Sequence, residues 1–133
     1  MTTIDREALI AAARSARSHA YMPYSRFAVG AAVLTASGQI IHGCNIENAA
    51  YPSTICAERC ALHSAYAQGF RDIVALAVIA DTPGPVSPCG GCRQVMSELC
   101  PSAVIFLANT AGLWHQTTVA ELLPGAFDPQ DLP

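Results

Sequence analysis

Charge is scarce in this chain and never runs together. Charged residues occupy 13% of the 133 positions, against about 25% in an ordinary globular domain. No run of Lys or Arg interrupts the sequence and the formal net charge is -3. The footprint of phosphate-backbone binding is therefore missing, and no nucleic-acid partner is expected. Long apolar runs are missing too: 52% of the residues are hydrophobic, yet no stretch approaches the roughly 20 residues that span a bilayer, so no membrane partner is expected. Asp5, Arg6 and Glu7 stand where a secretory leader would carry its apolar core. Repeats and low-complexity segments do not occur. Six cysteines in such a chain point to a reducing, cytoplasmic setting, where metal binding is commoner than disulfide pairing.

A chain of this length is expected to form one domain over residues 1–133 around one core. So few charges cover a monomer poorly, which suggests a surface buried between subunits; an Ala-rich ordinary domain is the plainer alternative. Thr3 can cap a first helix with Asp5 and Glu7 in its first turn and Ile4, Ala8, Leu9, Ala12, Ala16 and Ala20 at helical spacing. Pro23 breaks the chain into a loop at 21–26. Segments 27–35 and 39–44 read as a hairpin, 54–68 as a helix stopped by Gly69, and the apolar run 73–80 as a central strand covered on both faces. A helix over 93–100, an antiparallel pair at 103–108 and 113–117 and a short helix at 119–123 complete the chain. This order predicts an α/β fold: a three-layer α/β/α sandwich on a mixed five-stranded sheet.

Chemistry concentrates in two short stretches, Cys56-Ala57-Glu58-Arg59 and Pro88-Cys89-Gly90-Gly91-Cys92. Cys89 and Cys92, two residues between them, bring both sulfurs to one point when a helix turn opens at the first, with Gly90 and Gly91 letting the backbone turn tightly. Cys56 is the best third ligand, since it too ends a polar loop and opens a helical pattern. Helix N-termini favour thiolate, the form that binds zinc. Three ligands leave a tetrahedral zinc one open position, where water ionises near pH 7. Glu58, two residues from a ligand, can face the metal without binding it, as a general base does. Arg59 can offset the negative charge of three thiolates. Cys60, one helical turn after Cys56, keeps open a different reading, a closed four-cysteine structural zinc. The four histidines, His19, His42, His63 and His115, fall on no motif position.

A non-ligand glutamate with a Pro-Cys-x-x-Cys element is the arrangement of the zinc deaminases. From about Tyr21 to Phe127 the chain resembles the cytidine deaminases of the small, all-cysteine, homotetrameric kind. The resemblance runs through Pro23, Tyr24, Ser25, Phe27, Val29 and Gly30; Gly43, Cys44, Asn45, Glu47 and Asn48; Cys56 to Arg59; Ser87 to Gln94; and Glu121 to Pro124 with Phe127. It implies hydrolytic removal of the 4-amino group of cytidine and deoxycytidine, with one zinc per subunit on Cys56, Cys89 and Cys92. Glu58 would be the proton carrier and Arg59 the charge partner of the thiolates.

Phe27 reads equally as a core aromatic or as a platform for a flat base, and the resemblance implies the second. Asn45 and Glu47, two apart in an extended segment, read from the residues either as an Asx turn beside a solvated acid or as an amide and a carboxylate that hold a sugar hydroxyl from both directions; the resemblance puts them on the ribose. It also argues against the blasticidin-type deaminases. The backbone around Ala57 and Ser87 would meet the base edge, and Tyr51 and Phe127 would reach a neighbouring subunit's site in a homotetramer. A deaminase of polynucleotides would share the zinc chemistry but should carry a basic groove, which this acidic chain lacks.

Overall fold

Alternation along the strands decides how the layers form. In a computed structural model, which describes residues 3–133, one sheet is built from Val29–Thr35 (β1), Ile40–Cys44 (β2), Ile73–Ala80 (β3), Val104–Asn109 (β4) and Trp114–Thr118 (β5), in the order β2-β1-β3-β4-β5. β3 and β4 run parallel and every other neighbouring pair is antiparallel, so the sheet is mixed. Helix Arg6–Arg17 (α1) packs Leu9 and Ala13 on the face formed by Ala32, Leu34, Ala77 and Ile79. Helices Ala57–Ala67 (α2) and Gly90–Leu99 (α3) cover the opposite face, with Ala61, Leu62 and Met96 against Ala31, Val33, Leu76 and Val78. Residues of odd and even number on β1 thus go to different layers, as a period of two requires. β3 is apolar throughout because both of its faces are covered.

Two glycines let the helices approach. A Cβ on Gly43 would lie 2.8 Å from the Ala61 Cβ of α2, and one on Gly30 would lie 2.7 Å from the Arg17 nitrogen of α1. Side chains there would push the layers apart.

Register brings three loops to one end of the sheet. Val29 pairs with Ala80 and Gly30 with Cys44, so the entry to β1 and the exits of β2 and β3 lie together. Ligand sites of open α/β sheets gather at such strand ends. A last short helix, Val119–Leu122 (α4), packs beneath α3, and the chain closes with a 3-10 turn at Pro129–Asp131.

Local boundaries differ from the sequence reading where side chains compete with the helix pattern. Asp5, not Thr3, caps α1: its Oδ1 accepts the Ala8 N–H at 3.1 Å, and an ionised acceptor also gains from the helix dipole. α2 begins at Ala57 rather than 54. Tyr51–Ser53 closes as a 3-10 turn, and Ile55 exchanges both backbone hydrogen bonds with Ile46, at 2.9 and 3.0 Å. α3 begins at Gly90, so Gly90 and Gly91 are helical rather than a tight turn. Gly91 instead leaves room for a guanidinium, since a Cβ there would stand 2.6 Å from Arg59 Nη2 and displace it.

Candidate active site

Two helix N-termini meet over the loop end of the sheet. Cys56 is the N-cap residue of α2 and Cys89 that of α3, while Cys92 lies in the first turn of α3. The three sulfurs lie within 4.8 Å of one another. Cys89 and Cys92 approach to 3.3 Å, and Cys89 Sγ accepts the Cys92 N–H at 3.4 Å. Sulfurs on one tetrahedral zinc stand about 3.8 Å apart, given Zn–S bonds of about 2.3 Å, so the donor set fits that ion in both spacing and chemistry. Among the described residues no other group of His, Cys, Asp or Glu gathers in this way. Cys60 is half-buried and outside the cluster.

The surroundings favour a thiolate at Cys56. The Cys56 thiol is lowered to about 6, first through its hydrogen bond with Cys92 and then through the Arg59 charge. Cys92 is raised by the same hydrogen bond and by burial: of the two thiols, Cys56 gives up its proton the more readily and Cys92 retains its own. Arg59 has its pKa raised, chiefly by its hydrogen bond with Cys92. Its guanidinium interacts with all three sulfurs, while its Nε is buried without a hydrogen-bond partner among the described residues.

Glu58 is 4% exposed, and burial raises its carboxyl above the usual range. Its own backbone N–H and the Cys92 thiol supply hydrogen bonds that partly oppose this. A carboxyl hidden beside a thiolate cluster holds a proton more readily than a solvated one, which is what a proton carrier needs.

A cleft of about 550 Å³ opens above Glu58 and the cysteines, in the range that encloses small ligands. Ala57, fully buried, forms part of its wall. Phe27 lines the cleft with a 41% exposed ring, outside the strand that sequence reading began at that residue. Asn45 and Glu47 line the far end, while Ile46 between them turns outward into its bridge with Ile55. Asn45 is already tied to β1: its Oδ1 accepts the Val29 N–H at 2.9 Å and its Nδ2 donates to the Phe27 carbonyl at 2.7 Å. One donor and one lone pair of the amide remain. Glu47 Oε1 accepts the N–H groups of Tyr24 and Ser25 at 3.0 and 3.1 Å, and its Oε2 accepts the Ser25 hydroxyl. These bonds, led by the Ser25 hydroxyl, lower its pKa.

The family model for the cytidine and deoxycytidylate deaminase zinc-binding region matches residues 3–108. The chain belongs to this family. It is 57% identical over 130 residues to the cytidine deaminase of Halalkalibacterium halodurans, covering 97% of this chain and 98% of that one. Identity to the cytidine deaminase of Sporosarcina psychrophila is 56% over 130 residues, with 97% and 96% covered. The crystal structure of the Burkholderia pseudomallei cytidine deaminase superposes with a TM-score of 0.91 at 50% identity, over 93% of this chain and all of that one. That of the Mycobacterium tuberculosis cytidine deaminase gives 0.82 at 36% identity, over 95% and 99%.

Two further positions suggested by the cytidine deaminase resemblance stand apart from the floor of the cleft. Tyr51 lies on its rim, 84% exposed, and Phe127 is 57% exposed and no part of the cleft wall of its own chain. Gln94 Nε2 donates to the Phe127 carbonyl at 2.8 Å, anchoring that tail to α3. Sequence reading assigned no role to Ser25 as the clasp of Glu47, nor to Arg93. The Ser25 hydroxyl also accepts the Phe27 N–H at 3.0 Å, so it joins the acid to the residue carrying the ring. No local spacing announces such a contact across 22 positions.

Proposed function

We propose that this protein hydrolyses cytidine and 2'-deoxycytidine to uridine and 2'-deoxyuridine with release of ammonia, in the salvage of pyrimidines. The observation that carries the reading is a buried carboxyl, Glu58, beside a three-thiol zinc site at the floor of a nucleoside-sized cleft.

Cys56, Cys89 and Cys92 would hold the zinc, and Arg59 would balance their charge. Bound zinc supplies the Lewis acidity that makes water a nucleophile at neutral pH. C4 of cytosine is a poor electrophile and its amino group a poor leaving group, so one residue must act twice. A Glu58 carboxylate oxygen takes a proton from the attacking water and delivers it to N3. It then takes the proton of the new C4 hydroxyl and passes it to the amino nitrogen, so that the C4–N bond breaks to release ammonia as the C4 carbonyl forms. Burial supports both steps, because a desolvated carboxyl is a stronger base than a solvated one.

The other residues bind and orient. Phe27 offers a ring for the pyrimidine, the backbone at Ala57 and Ser87 meets the base edge, and Asn45 and Glu47 meet the ribose. Tyr51 and Phe127 serve neighbouring subunits in a homotetramer, a reading supported by the few charges and by the exposure of both rings. The chain acts as a single catalytic domain in the cytoplasm, a reading supported by its six unpaired cysteines. No helix among the described residues is long and apolar enough to cross a membrane.

The test is ultraviolet absorbance with cytidine, deoxycytidine, cytosine or CMP, each with and without a zinc chelator. Spectral loss with the two nucleosides alone, abolished by chelation, is expected. No change with either nucleoside, in protein shown to contain zinc, would overturn the assignment.

A further inference from the structure

The chemistry proposed above makes no use of Arg93, one residue beyond Cys92. Its guanidinium nonetheless spends each of its nitrogens on a different group. Nε donates to the Pro88 carbonyl at 2.8 Å, Nη2 to the Ser87 hydroxyl at 2.6 Å and Nη1 to the Leu122 carbonyl at 2.7 Å. The Pro88 carbonyl belongs to the peptide that carries the Cys89 nitrogen, so the guanidinium grips the backbone at the point where it delivers a sulfur.

Past Val86, the segment that delivers Cys89 has little else to hold it. Residues 81–89 form no helix or strand. Their first part is tied to β4, where Asn109 Nδ2 donates to the Thr82 and Pro83 carbonyls at 2.9 and 3.3 Å, and the Val86 N–H donates to the Ala108 carbonyl at 3.2 Å. The described side-chain bonds to Ser87 and to the Pro88 carbonyl come from Arg93. Cys56 is steadied by the Ile46–Ile55 bridge, and Cys92 is built into α3. Cys89 is the exposed member of the three and sits at the end of the loop.

The geometry points to Arg93 as a positioning residue: it fixes Cys89 in the zinc site by clamping the Ser87–Pro88 loop to the end of α4. The inference rests on the zinc reading above. A lysine cannot replace it, since one ammonium cannot present the three fixed N–H directions of a guanidinium plane.

The experiment is zinc release from the intact protein to a colorimetric chelator, for the parent, Arg93→Lys, Arg93→Ala and Ser87→Ala, with folding of each checked by circular dichroism. Arg93→Lys is expected to release zinc at least ~10-fold faster, the usual scale for losing an outer partner of a metal ligand. Ser87→Ala, which removes one bond of the three, should fall between it and the parent. The kcat of Arg93→Lys for cytidine should drop with its zinc, and its KM should rise as well, because the loosened loop carries the Ser87 backbone that meets the base edge. Folded Arg93→Lys that holds zinc as long as the parent overturns the inference alone. A parent that binds no zinc overturns the metal reading together with it.

Discussion

Glu58 lies against Cys56 and Cys92 with its carboxyl hidden from solvent, so a change that removes its proton and keeps its shape separates binding from chemistry. Glu58→Gln should retain zinc, measured by atomic absorption, while kcat for cytidine falls ~10²–10⁴-fold, the contribution of a positioned acid–base group. Retained turnover would remove the mechanism. Cys60 tests the opposite claim. Its sulfur is outside the cluster, so Cys60→Ser should keep both zinc and turnover; loss of zinc would restore the closed structural site. Cys100, at the end of α3, is pushed up to about 12 by burial. The folded protein binds this thiol's proton more tightly than the unfolded chain does. Its stability contribution is therefore complete below pH 9 and is lost as pH rises from 9 toward 12. Denaturant midpoints should fall over that window, less so in Cys100→Ala, and iodoacetamide at pH 8 should label Cys100 only after unfolding.

Helix α2 carries Cys56 and Glu58 at its start and presses its middle on β2 at Gly43. Its placement on the sheet therefore sets where two parts of the site stand. Gly43→Ala would put a methyl against Ala57 and Ala61 of that helix, and overpacking of this kind costs roughly 1–3 kcal/mol. Urea unfolding should show that loss, and zinc content should drop with it; a variant as stable as the parent would mean that α2 can slide without cost. The start of α2 was poorly legible in the sequence. Ile55 belongs to a helical pattern in the sequence and to a bridge with Ile46 in the fold, and only the partner strand decides between them.

Surface composition bears on the assembly. Exposed Tyr51 and Phe127, together with few charges, fit sites completed between subunits. Sedimentation equilibrium should give about four times the mass of the chain. Phe127→Ala should raise KM for cytidine more than it lowers kcat. Unfolding Glu58→Gln and Phe127→Ala together and refolding them as mixed oligomers should yield some sites with an intact Glu58 and an intact neighbouring ring. A monomer that turns over cytidine normally would sink this picture.

Much of the candidate site was written locally. Cys89 and Cys92 are one helical turn apart, Glu58 is two residues from Cys56, and such spacings fix geometry once a helix begins beside them. The mixed five-stranded sheet was legible for a similar reason, since alternation and the doubly covered run of β3 are properties of short windows. Only the tertiary structure decided what joins distant segments. Sheet register brings Phe27, Asn45 and Cys89 to one cleft. Ser25 clasps Glu47 across 22 positions and Arg93 reaches Leu122 across 29. Hydrogen bonds of that length have no period in the sequence, because their partners become neighbours only after the layers have packed.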